Sequence, residues 1–283
     1  MGNANYSAAV KTARNYYNSS DADRFYLTLW GGRDLHIGLY KSDEESVLEA
    51  SNRTTCRMAE LVADRLVPGA RVLDVGGGFG GTVRFLAREY DGVQTVSLNL
   101  SGVQNERARE RIAKDGLADS VSVVEGNFED TPFDSEHFDV VWSQDAMLHS
   151  GNRAAMLSEV ARVLKPGGVF IFTDPMAADG VSFDTLQPVL GRLDLKTMGS
   201  PEFYRDKLTS LGLDERLFEE HADQLVRHYQ RIHDELVSQR ADLQERISDA
   251  YLENMKTGLR QWVDSGRAGR LTWGIMVFDK KQN

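Results

Sequence analysis

The stretch VLDVGGGFGG, Val72 to Gly81, sets five glycines behind an aspartate. Four apolar or acidic residues with β character lead into it, and Gly81 opens a run that continues at helical spacing to Tyr90. A strand, a bare turn and a helix in that order place backbone N–H groups where a nucleotide-containing ligand can approach. Gly76, Gly78 and Gly81 fit G-x-G-x-x-G, while Gly76, Gly78 and Gly80 fit D-x-G-x-G-x-G equally well.

Outward from this loop the chain alternates. Strands are expected at Arg71–Val75, Val93–Leu98, Val121–Glu125, Phe138–Trp142 and Val169–Thr173, and helices at Ser101–Asp115 and Arg153–Leu164. Ser101 is the natural cap of the first helix, and Lys165-Pro166-Gly167-Gly168 is expected to stop the second. This alternation predicts an α/β fold with a parallel sheet and right-handed crossovers. Ligands of such sheets lie at the carboxyl ends of the strands, here Gly76, Asn99, Asn127, Ser143 and Asp174.

Residues 1–67 read as an N-terminal helical cap, with helices over Lys11–Tyr17, Ala22–Trp30 and Glu44–Leu66, the last capped by Ser42 or Asp43. Residues 68–175 read as the Rossmann-like core. Residues 176–283 read as a helical insertion with final strands: helices at Phe203–Leu211 and Gln224–Trp262, broken near Ser248, and strands at Glu215–His221 and Leu271–Phe278. The insertion is expected to be a lid, a homodimer arm or core support.

Bulk properties restrict the function. A net charge of −10 argues against a broad nucleic-acid footprint and fits a small-molecule substrate. Cys56 is the only cysteine, which excludes an intrachain disulfide and a thiolate metal cluster. No run approaches a membrane span, and the first residues lack the apolar stretch of a signal peptide, so a cytoplasmic protein is expected. His228 and His233 are five apart, off one helix face, so no metal site is expected.

The cofactor is decided by Asp74. A nicotinamide dinucleotide would bring its pyrophosphate to the loop, where a neighbouring acid repels it. S-adenosylmethionine has no phosphate. It carries a sulfonium and an ammonium that suit Asp74, and a carboxylate that suits free N–H groups. Either cofactor usually finds an acid after the second strand, and here TVSLNLS offers Asn99 instead. An amide can both accept from and donate to ribose hydroxyls, though more weakly than a carboxylate grips them; the alternative is an asparagine that caps the next helix. In EGNFEDTPF, Phe128 is placed to meet an adenine face and Asn127 or Glu129 its edge.

FDVVWSQDAMLH followed by EVARVLKPGG completes a set of motifs, from Val72 to Asp174, that resembles class I S-adenosylmethionine-dependent methyltransferases. YYNSSDADRFYLTLWGGRDLHIGLY (Tyr16–Tyr40), WSQDAMLHSGNR (Trp142–Arg153), MGSPEFYR (Met198–Arg205) and LTWGIMVF (Leu271–Phe278) further resemble the sarcosine/dimethylglycine N-methyltransferases of glycine betaine synthesis, Asn99 included. The resemblance implies a seven-stranded Rossmann-like sheet and methylation of dimethylglycine, and of sarcosine, to give the osmolyte betaine. It implies Tyr17, Asp74, Gly76, Gly78, Asn99, Leu100, Gln104, Asn127, Phe128 and Ser143 around the cofactor. Tyr26, Gln144 and His149 are the expected catalytic residues. Arg205, Trp30 and Met176, with Tyr26 and His149, are expected at the substrate.

Physical reasoning supports several of these. The substrate carboxylate calls for a positive group, and Arg205 is favoured over Arg33 and Arg153, each of which could equally be a surface ion pair. The nascent quaternary ammonium calls for π faces, as Tyr26 and Trp30 would give unless they only form one apolar helix face. His149 either takes the amine proton or merely bonds backbone. Competing readings are a class I methyltransferase with another amine, a phenol or an isoprenoid as acceptor, a nicotinamide-dependent oxidoreductase, and a non-catalytic sensor of the cofactor.

Overall fold

A computed structural model describes residues 8–192, 195 and 197–282. At its centre is a seven-stranded sheet. β1 (Arg71–Val75), β2 (Gln94–Asn99), β3 (Val121–Glu125), β4 (Phe138–Gln144) and β5 (Leu164–Thr173) run parallel. Beyond a short β6 (Met176–Ala177), β7 (Leu213–Glu220) and β9 (Gly274–Lys280) complete the sheet, while β8 (Leu271–Thr272) pairs with β6. The spatial order is β3-β2-β1-β4-β5-β9-β7, with β9 antiparallel to both neighbours. The chain reverses direction between β1 and β4, so the switch point lies over the glycine loop.

Period-two alternation explains why the central strands are almost wholly apolar: both faces are covered. Leu73, Val75, Val141, Phe170 and Phe172 face one side, against Met156, Leu157 and Val160 of α6 (Arg153–Val163). Val72, Val140, Trp142 and Ile171 face the other, against Met58 of α3 (Val47–Leu61) and Leu86 of α4 (Gly81–Glu89). Outside β2 and β3, α5 (Gly102–Lys114) buries Ala108 and Ile112.

Several boundaries differ from the sequence reading, and for two of them the structure shows the reason. α3 starts at Val47, because Ser46 and Glu49 form a reciprocal capping box that neither Ser42 nor Asp43 provides. β5 begins at Leu164, which pairs with Phe138 before an irregularity in the ladder, so the Lys165–Gly168 segment lies within the strand.

A second layer of helices roofs the strand ends. α1 (Ala8–Tyr17) and α2 (Ser20–Leu29) are followed, late in the chain, by α7 (Gln187–Arg192), α9 (Ala222–Ser238), α10 (Arg240–Leu243) and α11 (Asp249–Arg267), while α8 (Pro201–Ser210) packs instead on the sheet face beside α6, where it buries Tyr204 and Leu208. Phe25, Leu29 and Trp30 join Ile232, Leu236, Met255 and Leu259 in one cluster that also holds Phe79 of the glycine loop. The helical detour is thus fixed over the ligand end of the sheet by its own apolar stripe. Among the described residues, no helix is long and apolar enough to cross a membrane, and no group of three His, Cys, Asp or Glu is placed to hold a metal.

Candidate active site

Two cavities meet under this roof. The larger, about 940 Å³ of unfilled space, lies over β1 and β2. The smaller, about 460 Å³, is an aromatic chamber beneath α2, α9 and α11. Tyr17, Leu35, Asp145 and His149 line both, and so form the wall between them.

The larger cavity is built by the glycine loop. Gly76 (φ 84°) and Gly78 (φ 51°) lie in the left-handed region, which glycine enters without a Cβ penalty. A Cβ on Gly76 would overlap that of Ala146, whereas one on Gly78 would first meet Leu35 Cδ1, at 3.7 Å. Gly77 lies so close over Asp74 and Ser97 that a Cβ there would overlap the serine hydroxyl.

Asp74 is buried, and its Oδ2 has no hydrogen-bond partner. Desolvation, with the negative charge of Asp34 second, pushes its carboxyl up to about 8. A buried carboxyl left unsatisfied at the floor of a cleft is a site for a cation.

Asn99, at the end of β2, donates through Nδ2 to Gln104 Oε1 (3.0 Å) and to Asn105 Oδ1 (3.2 Å). Its amide is thereby oriented, and Asn99, Leu100 and Gln104 all line the cleft. Asn127 and Phe128 line it as well. An acid at the floor, a bare loop, an oriented amide and an aromatic on one cleft fit S-adenosylmethionine, whose cations, carboxylate, ribose and adenine need those groups in turn.

The partition wall is held from several directions. The Tyr17 hydroxyl and His149 Nε2 are 2.8 Å apart, with their rings edge to face. Asp145 adopts φ 52°, an unusual value for a residue other than glycine. Its Oδ2 accepts from the Ile37 N–H at 2.6 Å and its Oδ1 from Trp273 Nε1 at 2.7 Å. Burial raises the pKa of its carboxyl, and the bond from Ile37 opposes that rise. The loop that carries His149 is anchored by Asp174, which accepts from the Leu148 N–H at 3.0 Å and from the Tyr204 hydroxyl at 2.7 Å. Burial lifts the Asp174 carboxyl to about 7.

Tyr26 and Trp30 both line the aromatic chamber, with ring centroids 4.9 Å apart. The Tyr26 hydroxyl lies 3.1 Å from that of Tyr16, which also bonds that of Tyr251 at 3.0 Å.

Four expectations need correction. Arg205 lies on the exposed face of α8, where it pairs with Glu215 at 2.7 Å and stacks over Phe218; it lines neither cavity. Met176 is buried among the core residues that cover β5. Ser143 is fully buried and donates to the Val75 carbonyl at 3.1 Å, tying β4 to β1. Gln144 borders the cleft, but its Oε1 accepts from Thr82 Oγ1 and Trp142 Nε1, so its amide is engaged in packing. The other arginines weighed also serve structure. Arg153 donates to the carbonyls of Leu148 and Thr197, and Arg33 lies beside Asp34.

Sequence reasoning missed Asp34, Asp145, His228 and Trp262. Asp145 stood in plain view two residues after Ser143; the other three are brought in by long-range packing.

The chain matches a methyltransferase-domain family model over residues 73–172. It is 50% identical over 272 residues to a sarcosine/dimethylglycine N-methyltransferase of Halorhodospira halochloris, covering 96% of this chain and 97% of that one. It is 49% identical over 271 residues to a glycine/sarcosine/dimethylglycine N-methyltransferase of Actinopolyspora halophila, of which those residues span 47%. Among solved structures, a putative sarcosine dimethylglycine methyltransferase from Galdieria sulphuraria superposes with a TM-score of 0.87 at 43% identity, over 92% of this chain and 98% of that one.

Proposed function

The chain belongs to the sarcosine/dimethylglycine N-methyltransferase family, and on that premise we propose that it methylates dimethylglycine, and sarcosine before it, with the acceptor in the aromatic chamber. The cofactor is S-adenosylmethionine, which supplies an electrophilic methyl group on sulfonium. Asp74, the bare loop at Gly76 and Gly78, Asn99, Leu100, Gln104, Asn127 and Phe128 would hold it. The observation that carries the reading is the shared wall: Tyr17, Asp145 and His149 face both cavities, so two ligands can meet there end to end.

The residues act mainly by position. In-line transfer requires reacting atoms about 3–3.5 Å apart and an amine with a free lone pair. Asp145 draws the ammonium form of the acceptor to the wall. His149, held by Tyr17, takes up the proton that the amine sheds. Tyr26, braced by the Trp30 ring at 4.9 Å, offers a π face to the positive charge that grows on nitrogen, roughly 0.5–2 kcal/mol, and the chamber's aromatic lining keeps water from the reacting atoms. An intracellular osmolyte as product supports a cytoplasmic location.

The test is direct. Purified protein incubated with S-adenosylmethionine and dimethylglycine should give a product of the mass of betaine. Absence of that product at both low and high salt would refute the reading.

A further inference from the structure

The aromatic chamber has no lysine or arginine among its described lining residues. An acceptor with a carboxylate must therefore have that charge met in another way. Three ring nitrogens on the chamber's lining residues are buried without a hydrogen-bond partner: Trp30 Nε1, Trp262 Nε1 and His228 Nε2. All three side chains are nine-tenths buried or more. None lines the larger cavity, so they lie away from the wall shared with it.

The His228 tautomer follows from its other nitrogen. Nδ1 lies 2.9 Å from the Tyr40 hydroxyl and 3.3 Å from the Gly38 N–H. Burial raises the Tyr40 pKa, so that hydroxyl keeps its proton, and burial also lowers the His228 pKa to about 3. A neutral imidazole that accepts twice at Nδ1 carries its hydrogen on Nε2. All three orphaned nitrogens are thus N–H donors. Three buried donors with no acceptor, on residues that line one cavity, cost free energy that an acceptor inside it can return.

We propose that the acceptor's carboxylate is received by three neutral N–H donors, Trp30 Nε1, Trp262 Nε1 and His228 Nε2, in place of an arginine. The proposal rests on the chamber being the acceptor site. It fixes the orientation of the acceptor, with the carboxylate among the indoles and the amine at the wall of Tyr17, Asp145 and His149. The Trp30 and His228 rings, 5.5 Å apart and edge to face, keep two of the donors together. Trp262 is braced by Tyr229, with centroids 4.8 Å apart.

Trp30→Phe and Trp262→Phe remove the N–H and keep an aromatic ring. Each should raise KM for dimethylglycine at least tenfold and leave S-adenosylhomocysteine affinity, the check on folding, within twofold. In the wild type with S-adenosylhomocysteine bound, dimethylglycine should shift the two indole N–H resonances downfield; dimethylaminoethanol, which lacks the carboxylate, should not shift them. If the wild type makes betaine but both Phe variants keep their KM within twofold and the resonances stay still, this inference fails while the proposed function stands. If the wild type makes no betaine, the function fails first. Movement of the resonances with dimethylaminoethanol as well would show that the donors read occupancy, not the carboxylate, and would overturn the proposal.

Discussion

Asp74→Asn should make the protein more stable and a poorer binder of its cofactor. The Asp74 carboxyl has an ordinary pKa near 3.8 and is pushed to about 8 by burial and by Asp34. Between those values the folded protein holds a proton that the unfolded chain has lost, so the contribution of Asp74 to stability falls as pH rises from 4 to 8. At pH 7 that difference corresponds to about 4 kcal/mol. Asparagine does not titrate, so the loss disappears. Its amide hydrogens would enter the spot where Oδ2 has no partner, at a cost of about 1–3 kcal/mol.

The net effect at pH 7 is a gain of about 2 kcal/mol, a few degrees in Tm. At pH 4 only the cost of the amide remains, and the variant should be the less stable of the two. Plots of Tm against pH, from thermal denaturation followed by circular dichroism, should therefore cross at roughly pH 5–6. Calorimetry supplies the second half. Wild-type affinity for S-adenosylhomocysteine, whose ammonium would lie against Asp74, should tighten as pH rises towards 8 with release of a proton. In the variant it should be flat and about 10–100-fold weaker at pH 8. Parallel Tm curves, or an unchanged affinity, would refute the assignment of Asp74 as a destabilised acid kept for a cation.

Tyr17→Phe removes the 2.8 Å partner of His149 and should lower kcat for dimethylglycine about tenfold or more, read from initial rates at saturating S-adenosylmethionine; an unchanged kcat would remove the pair from the chemistry. Gly76→Ala should abolish cofactor binding and cost several degrees of Tm, because its Cβ would overlap Ala146. Gly78→Ala should cost only the left-handed strain of about 1–2 kcal/mol, since Leu35 is its nearest neighbour; equal losses of Tm in both variants would contradict that geometry. Arg205→Ala should leave KM for dimethylglycine within twofold, because the residue forms a half-exposed ion pair with Glu215. A rise of tenfold would return it to the acceptor site.

The fold was legible because its signals are local. Val72 to Gly81 carries its own strand, turn and helix start, and the apolar runs at Phe138 and Val169 could only be strands covered on both faces. The start of α3 was misplaced because Ser42 and Ser46 both precede acids, and only the reciprocal bond to Glu49 distinguishes them. The larger cavity was legible for the same reason as the fold: Gly76, Asn99 and Asn127, which line it, follow the strand ends that the alternation predicts. Ser143 shows where that logic stops. It does sit at a strand end, but the pleat turns its hydroxyl to the Val75 carbonyl, and parity along β4 gives no warning of it.

The aromatic chamber was hidden because it is assembled from residues as far apart in the chain as Tyr17 and Trp262. Trp30 caps the C-terminus of α2, while His228 and Trp262 belong to α9 and α11, and nothing in helical periodicity separates an indole that fills a core from one that donates into a cavity. No arginine or lysine stands on the chamber's described lining, although a guanidinium is a common partner of carboxylates. A guanidinium buried in this chamber would add a cation near the Asp145 wall and draw the acceptor's carboxylate and Asp145 towards the same charge. Neutral donors avoid that competition. With Asp145 as the only carboxyl on the chamber's described lining, the proposed arrangement would sort a zwitterion by its own dipole: amine to the acid, carboxylate to the indoles. An amine without the carboxylate gains only half of that alignment, and an acid without the amine gains none at the wall where the methyl group must arrive.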